Sequence, residues 1–209
     1  LWVRVPPSAP SKNKMMPLPL MSQNTGITGV HLVSKKERKG LIQVFTGNGK
    51  GKTSAALGSV LRATGHGLKV FIVFFMKGKY PYGEFSSLPK LPGVEVASFG
   101  LRCLIGDREI DPEEIKQAEL ALKTAREAML SGKYDLVVLD EVNVAVYFKL
   151  IPPGDVVKLI EEKPPAVELI LTGRYAETAV IERADLVTEM TKIKHPYDKG
   201  VKARKGIEY

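Results

Sequence analysis

The stretch VFTGNGKGKTSAAL, Val44–Leu57, constrains this chain more than any other. A short apolar run, LIQVF (Leu41–Phe45), leads into glycines at 47, 49 and 51, then into Lys52, Thr53 and an alanine-rich helical pattern. Strand, glycine turn and helix together are the context of a phosphate-binding loop, written G-x-x-x-x-G-K-[ST]. Counting back from Thr53, the first glycine would stand at 46; Thr46 is there instead, and the glycine follows at Gly47. The displacement leaves the physics intact, because three glycines still keep the backbone open to a ligand. Successive N–H groups from Gly47 to Lys52 can form an anion-binding nest, reinforced by the helix dipole. Lys52 supplies a point charge for phosphate, and the Thr53 hydroxyl can bind Mg²⁺. The competing reading is a lysine-rich glycine turn with no ligand.

Past the loop, apolar strands alternate with helical patterns. The loop helix places Ala56, Leu57, Val60 and Leu61 at helical spacing and ends at Gly65–Gly67. LKVFIVFF (Leu68–Phe75) and VEVASF (Val94–Phe99) read as strands, with the glycine- and proline-broken MKGKYPYGEF as a loop between them. Asp111 as N-cap, Pro112 and two acids open a long amphipathic helix with Ile115, Ala118, Leu122, Ala125 and Met129 on one stripe. Strand YDLVVLDEV (Tyr134–Val142), helix PGDVVKLIEE, strand AVELILTGR, helix AETAVIERA and strand DLVTEM complete the chain. The expected fold is therefore α/β, a mostly parallel sheet with helices on both faces.

The formal charge of +8 raises the question of nucleic acid, and its distribution bears on the answer. Residues 1–40 hold seven Lys/Arg against Glu37, and residues 191–209 hold six against Asp198 and Glu208; the stretch between is slightly acidic. Basic ends on a near-neutral body read as solvated tails, with anion binding as the second reading. The first 38 residues, with five prolines and no sustained period, read as a disordered extension with a start misassigned upstream of Met15, Met16 or Met21. Residues 39–209 are the expected functional domain. The one cysteine, Cys103, excludes an internal disulfide framework and a multi-cysteine zinc site, and fits a reducing cytoplasm. No apolar run reaches the ~18 residues of a membrane span.

Several groups outside the loop are candidates for chemistry. VVLDE ends a strand at Asp140 and Glu141, the arrangement by which phosphate-loop proteins hold the metal and its water; Glu141 can equally be a helix-capping acid. Arg174 in LTGR lies just past a strand's carboxyl end, where ligands bind in open α/β sheets, so it pairs with phosphate or forms a surface salt bridge. Arg62 on the loop helix is a weaker candidate. Lys77, Lys79, Tyr82 and Glu84 sit in a segment that is either a substrate lid or a surface excursion. His66 and His195 share no metal-ligand spacing and read as turn or packing residues.

The separated motifs GNGKGKTSAALG, RATGHG, FMKG…GE, YDLVVLDEVN, LTGR, ADLVTEM and KHPYDKGVKARKGIEY together resemble the P-loop type of ATP:corrinoid adenosyltransferase over about residues 40–209. That family also places threonine where Thr46 stands. The resemblance implies a P-loop NTPase-like (RecA-like) fold and transfer of the 5′-deoxyadenosyl group of ATP to the Co(I) of a reduced corrinoid, with release of triphosphate. It implies that Gly47, Asn48, Gly49, Lys50, Gly51, Lys52, Thr53 and Ser54 bind the triphosphate, with Arg62 assisting. It further implies that Thr53, Asp140 and Glu141 serve Mg²⁺ or Mn²⁺, and that Lys52, Glu141 and Arg174 take part in catalysis. A flavin-type reductant, a homodimer and a cytoplasmic location follow from the same resemblance. Two features depart from the family pattern. Phe74 stands where glutamine is common, and FGLRCLIGD puts Cys103 and Ile105 where an aromatic pair is usual.

Attack at carbon by Co(I), itself a strong nucleophile, requires no general base, and the sequence offers no convincing base–nucleophile pair. The alternative class is an ATPase or nucleotide kinase acting by phosphoryl transfer. GTPases fit poorly without an N-K-x-D signature. A nucleic-acid module lacks an aromatic-rich basic motif.

Overall fold

Six parallel strands carry all their carboxyl ends to one edge, and that edge becomes the site. The computed structural model describes residues 38–78, 81–101 and 109–209, which fall within one unit, Val33–Tyr209. Expectations for the first 37 residues, Lys79, Cys103 and Ile105 lie outside the described residues. The elements are β1 (Ile42–Thr46), α1 (Lys52–Gly65), β2 (Val70–Phe74), α2 (Gly83–Ser87), β3 (Val94–Ser98), α3 (Pro112–Leu130), β4 (Leu136–Asp140), α4 (Val142–Tyr147), α5 (Pro153–Glu161), β5 (Glu168–Thr172), α6 (Thr178–Ile181) and β6 (Leu186–Glu189). The sheet order is β3-β2-β4-β5-β1-β6, parallel throughout. The expected α/β class and parallel sheet are what the chain forms.

Alternation of side chains along each strand feeds two cores, one on each face. Val73, Val137, Leu139, Leu169 and Leu171 point to one face, where they meet the alanines of α3 and Val156, Leu159 and Ile160 of α5. Ile72, Phe74, Leu136, Val138 and Ile170 point to the other, against Ala56 and Val60 of α1. Each fully buried aliphatic side chain contributes roughly 1.5–3 kcal/mol through removal of apolar surface from water. β4 is buried at all five positions because it lies between β2 and β5 and is covered on both faces.

α3 begins as its sequence dictates. Asp111 accepts from the Glu113 N–H at 2.9 Å, and Glu114 accepts from the Asp111 N–H at 3.1 Å, a reciprocal capping box. Three details differ from the sequence reading, and a fourth, the exposure of the expected last strand, adds to it. Leu61 is 61% exposed on α1, whose buried contacts are made by Ala56 and Val60. The last part of the loop expected after β2 is helical from Gly83 onward, as α2. Val142 belongs to a helix, α4, and not to the preceding strand. β6 is an exposed edge strand. No helix among the described residues is long and apolar enough to cross a membrane.

Candidate nucleotide and substrate site

The loop after β1 takes the shape that its glycines permit. Gly47 has φ 93° and Gly51, the N-cap of α1, has φ 120°, values that side-chain-bearing residues rarely adopt. A Cβ at Gly47 would lie 2.6 Å from the Met190 carbonyl oxygen, so the loop is pressed against the chain leaving β6. The Gly49 N–H donates to that same oxygen at 2.6 Å, and the Met190 N–H donates to the Thr46 carbonyl at 2.9 Å. The Thr46 hydroxyl, in place of the customary glycine, accepts from the Ala176 N–H at 3.3 Å. Thr46 is thus a buried tie between the end of β1 and the segment after β5.

Lys52 curls back over its own loop. Its Nζ donates to the carbonyls of Gly47 at 2.8 Å and Gly49 at 2.7 Å. Burial lowers its pKa from the ordinary lysine range; Glu141 opposes that shift, Arg174 adds to it, and Asp140 opposes it. A phosphate oxygen entering the loop would give this buried ammonium an anionic partner in place of neutral carbonyls.

At the neighbouring strand ends the register sets the acids level with the loop. Phe74 pairs with Asp140, and Phe45 pairs with Thr172. The Thr172 hydroxyl donates to Asp140 Oδ1 at 2.7 Å and accepts from the Glu141 N–H at 2.9 Å. Asp140 Oδ2 is 2.7 Å from Lys77 Nζ, and Glu84 lies 3.7 Å from the same ammonium. Burial works against the Lys77 charge, but Asp140, with Glu141 and Glu84 in support, outweighs it and raises the pKa above the ordinary range. Glu141 adopts a left-handed backbone, φ 65° and ψ 17°, which turns the chain sharply from β4 into α4. Burial, and then the Asp140 charge beside it, raise the Glu141 pKa, while Lys77, Lys52 and Arg174 pull the other way.

These groups surround a cavity of about 680 Å³. Asn48 to Ser54 form its floor, with Lys77, Glu84, Glu141 and Arg174 opposite. Arg174 is exposed to this cavity and forms no ion pair among the described residues, so it is not held in a surface salt bridge. Asp140 stands behind the wall, engaged by Lys77 and Thr172, whereas Thr53 and Glu141 line the space. Arg62 falls on the exposed last turn of α1, about 15 Å along the helix from Lys52, outside the lining. His66 follows that helix as its C-cap. His195 caps a short turn, its Nδ1 accepting from the Tyr197 N–H at 3.2 Å, and also reaches the cavity wall.

A second recess of about 330 Å³ adjoins the first and shares Lys77, Tyr82, Glu141 and Arg174 with it. Phe75, Met76, Phe148 and the stacked pair Tyr147–Tyr175, ring centroids 4.0 Å apart, make it largely apolar. Tyr147 and Tyr175 expose about half their surface here. Sequence reasoning missed both residues; exposed tyrosines on separate elements give no pattern until α4 and the turn after β5 meet. Phe74, by contrast, is wholly buried, its ring 4.9 Å from Phe85 and its face under Lys77, so it supports the wall without lining it. The segment after β2 contributes Lys77, Tyr82 and Glu84 to the walls, so it is part of the site.

Among the described residues no group of three or more His, Cys, Asp or Glu side chains could cage a metal ion. The oxygen donors that do face the cavity, the Thr53 hydroxyl and the Glu141 carboxylate, suit a hard cation that takes its remaining ligands from phosphate and water.

Comparison with known proteins gives a consistent result. Residues 38–209 match the family model described as ATP:corrinoid adenosyltransferase BtuR/CobO/CobP. A corrinoid adenosyltransferase of Pseudomonas aeruginosa is 36% identical over 192 residues, covering 90% of this chain and 93% of the relative. The corrinoid adenosyltransferase of Escherichia coli K12 is 39% identical, and corrinoid adenosyltransferase CobA of Salmonella typhimurium is 40% identical. Each of those two alignments covers 83% of this chain and 88% of the relative.

Proposed function

This chain belongs to the ATP:corrinoid adenosyltransferase family, and we propose that it carries out the family's transfer with ATP in the loop cavity and a reduced corrinoid against the adjoining aromatic recess. The observation that carries this reading is the shared wall. Lys77, Tyr82, Glu141 and Arg174 border both spaces, so a nucleotide in one and a large flat ligand in the other would meet there.

In the reaction the cobalt electron pair forms the bond to C5′ as the C5′–O bond breaks. The electrons of that bond leave with triphosphate. The protein is asked for no proton transfer at carbon, and its work is placement and charge stabilisation. Loop amides from Asn48 to Thr53 hold the triphosphate, Lys52 gives up its two carbonyls for a phosphate oxygen, and Arg174 reaches the phosphates from the opposite wall. Mg²⁺, held by Thr53 and Glu141, would supply further neutralisation of the departing oxygens. Asp140 is a positioning residue in this reading: it fixes Lys77 and, through Thr172, the backbone of Glu141. The apolar recess, with two half-exposed tyrosines, offers a face to a macrocycle while excluding water from C5′. A homodimer and a flavin-type reductant complete the reading by resemblance.

The test is product identity. Incubation with ATP, Mg²⁺ and chemically reduced cobalamin should yield triphosphate and the spectrum of an adenosylated corrinoid. Formation of ADP and phosphate without dependence on corrinoid would replace this reading with phosphoryl transfer.

A further inference from the structure

The basic residues of the carboxyl-terminal segment are exposed, as expected of a solvated tail, but its last residues, Gly206, Ile207, Glu208 and Tyr209, line the loop cavity. Lys50 of the loop is one of its ties. Lys50 Nζ lies 2.9 Å from Glu208 Oε1 and 3.4 Å from the Ile207 carbonyl oxygen. On its other side Glu208 takes three hydrogen bonds from Arg204, from its backbone N–H at 2.8 Å and from its guanidinium at 2.9 and 3.2 Å. The Gly206 N–H donates to the Tyr209 carbonyl at 2.7 Å and folds the end of the segment into a turn. Lys50 is therefore a cation of the phosphate loop that already holds an anion, and that anion belongs to the protein.

We infer that Glu208 is a positioning residue that competes with polyphosphate for Lys50 and so favours release of the triphosphate product. The inference rests on the adenosyltransferase reading for the identity of that product. Rupture of C5′–O leaves its electron pair on the phosphate oxygen, so free triphosphate carries more negative charge than the triphosphate chain of ATP. Tight loops risk holding such an ion. When triphosphate departs, Lys50 exchanges its phosphate oxygen for the Glu208 carboxylate, and the cation is never left unpaired. The carboxylate suits this role because hydrogen bonds from Arg204 and then Lys50 hold its pKa down to about 2, so it stays charged at any working pH.

The sign of one substitution separates this role from a structural one. If Glu208 only builds the cavity wall, Glu208→Gln weakens polyphosphate binding. If it competes for Lys50, the same variant binds inorganic triphosphate more tightly, by about three- to tenfold at low salt, an effect that shrinks as ionic strength rises. Calorimetric titration of inorganic triphosphate, in the presence of Mg²⁺ and with no corrinoid, reads this directly. We expect tightening in Glu208→Gln, wild-type affinity in Glu208→Asp, and no effect of Glu208→Gln once Lys50→Ala is also present. Unchanged or weaker binding in Glu208→Gln, or tightening that persists without Lys50, overturns the inference. Glu208→Ala, read in the same way, covers a failure of the glutamine variant to fold. The titration contains no adenosyl transfer, so a failed adenosylation assay would remove the named reaction without altering this result. In multiple-turnover assays the glutamine variant should be inhibited more strongly than wild type by added triphosphate.

Discussion

Replacing Lys77 by methionine tests how the site is held before any substrate arrives. The side chain is 11% exposed, and its partner Asp140 is 1% exposed, with 2.7 Å between Nζ and Oδ2. Methionine keeps most of the aliphatic stem, so the charge is what is lost, together with its placement 5.1 and 5.0 Å from the Phe74 and Tyr82 ring centroids. Asp140 would then be a buried carboxylate whose remaining partner is the Thr172 hydroxyl. Removing one partner of a buried ion pair typically costs about 3–5 kcal/mol. The Thr172 hydroxyl bond remains, so the lower figure, about 3 kcal/mol, applies. In a unit spanning Val33–Tyr209 that corresponds to a fall of roughly 6–12 °C in the unfolding midpoint. Circular dichroism melts at neutral pH, without nucleotide or Mg²⁺, measure it. Adding Asp140→Asn should restore most of the loss, since the uncompensated charge disappears with its partner. A midpoint within about 2 °C of wild type for Lys77→Met, or no recovery in the double variant, would refute the argument that this pair is a buried, mutually dependent unit.

Three further outcomes follow from the geometry. Lys52→Ala should leave the fold in place and lower adenosyl transfer by about 10²–10³-fold, the usual loss when one charge-stabilising donor is removed; steady-state assays with wild-type-like turnover would contradict the role given to this ammonium. Glu141→Gln should change how stability depends on pH. The folded protein keeps the Glu141 proton to a higher pH than the unfolded chain, whose value is near 4.5. Stability therefore falls as pH rises from 4.5 through the raised folded value, and the glutamine variant lacks that fall. Melts of both proteins across this range check the sign, and parallel curves would exclude it. Phe74→Gln should be destabilised by about 3 kcal/mol or more, because an amide replaces a buried ring in an apolar core; an unchanged denaturant midpoint would show that the site has polar partners to offer.

The sequence disclosed those parts of the fold that depend on neighbours in the chain. The loop, the capped start of α3 and the apolar strands are each specified within a dozen residues, and all formed as expected. Contacts between distant segments were not legible. Lys77 and Asp140 meet because β2 and β4 are adjacent with Phe74 opposite Asp140, a register no local pattern encodes. α4 misled in a different way: its first residue, Val142, reads in the sequence as the end of the preceding strand. The left-handed turn at Glu141 breaks that strand, and burial of Val142, Ala145 and Val146 on one side stabilises a helix in its place. The basic composition of the last residues suggested solvation alone, and their approach to the loop, with Glu208 between Lys50 and Arg204, was not legible in it.

The charges around the cavity nearly cancel. Lys50, Lys52, Lys77 and Arg174 face Glu84, Glu141 and Glu208 across the space, with Asp140 immediately behind. Such a lining exerts little net pull of its own on a polyanion, so attraction from a distance would come from the exposed basic residues of the 191–209 segment beside it. A bound polyanion would therefore be met by changes of partner on contact: Lys50 would leave Glu208 and Lys52 would leave two neutral carbonyls, while Lys77 stays with Asp140.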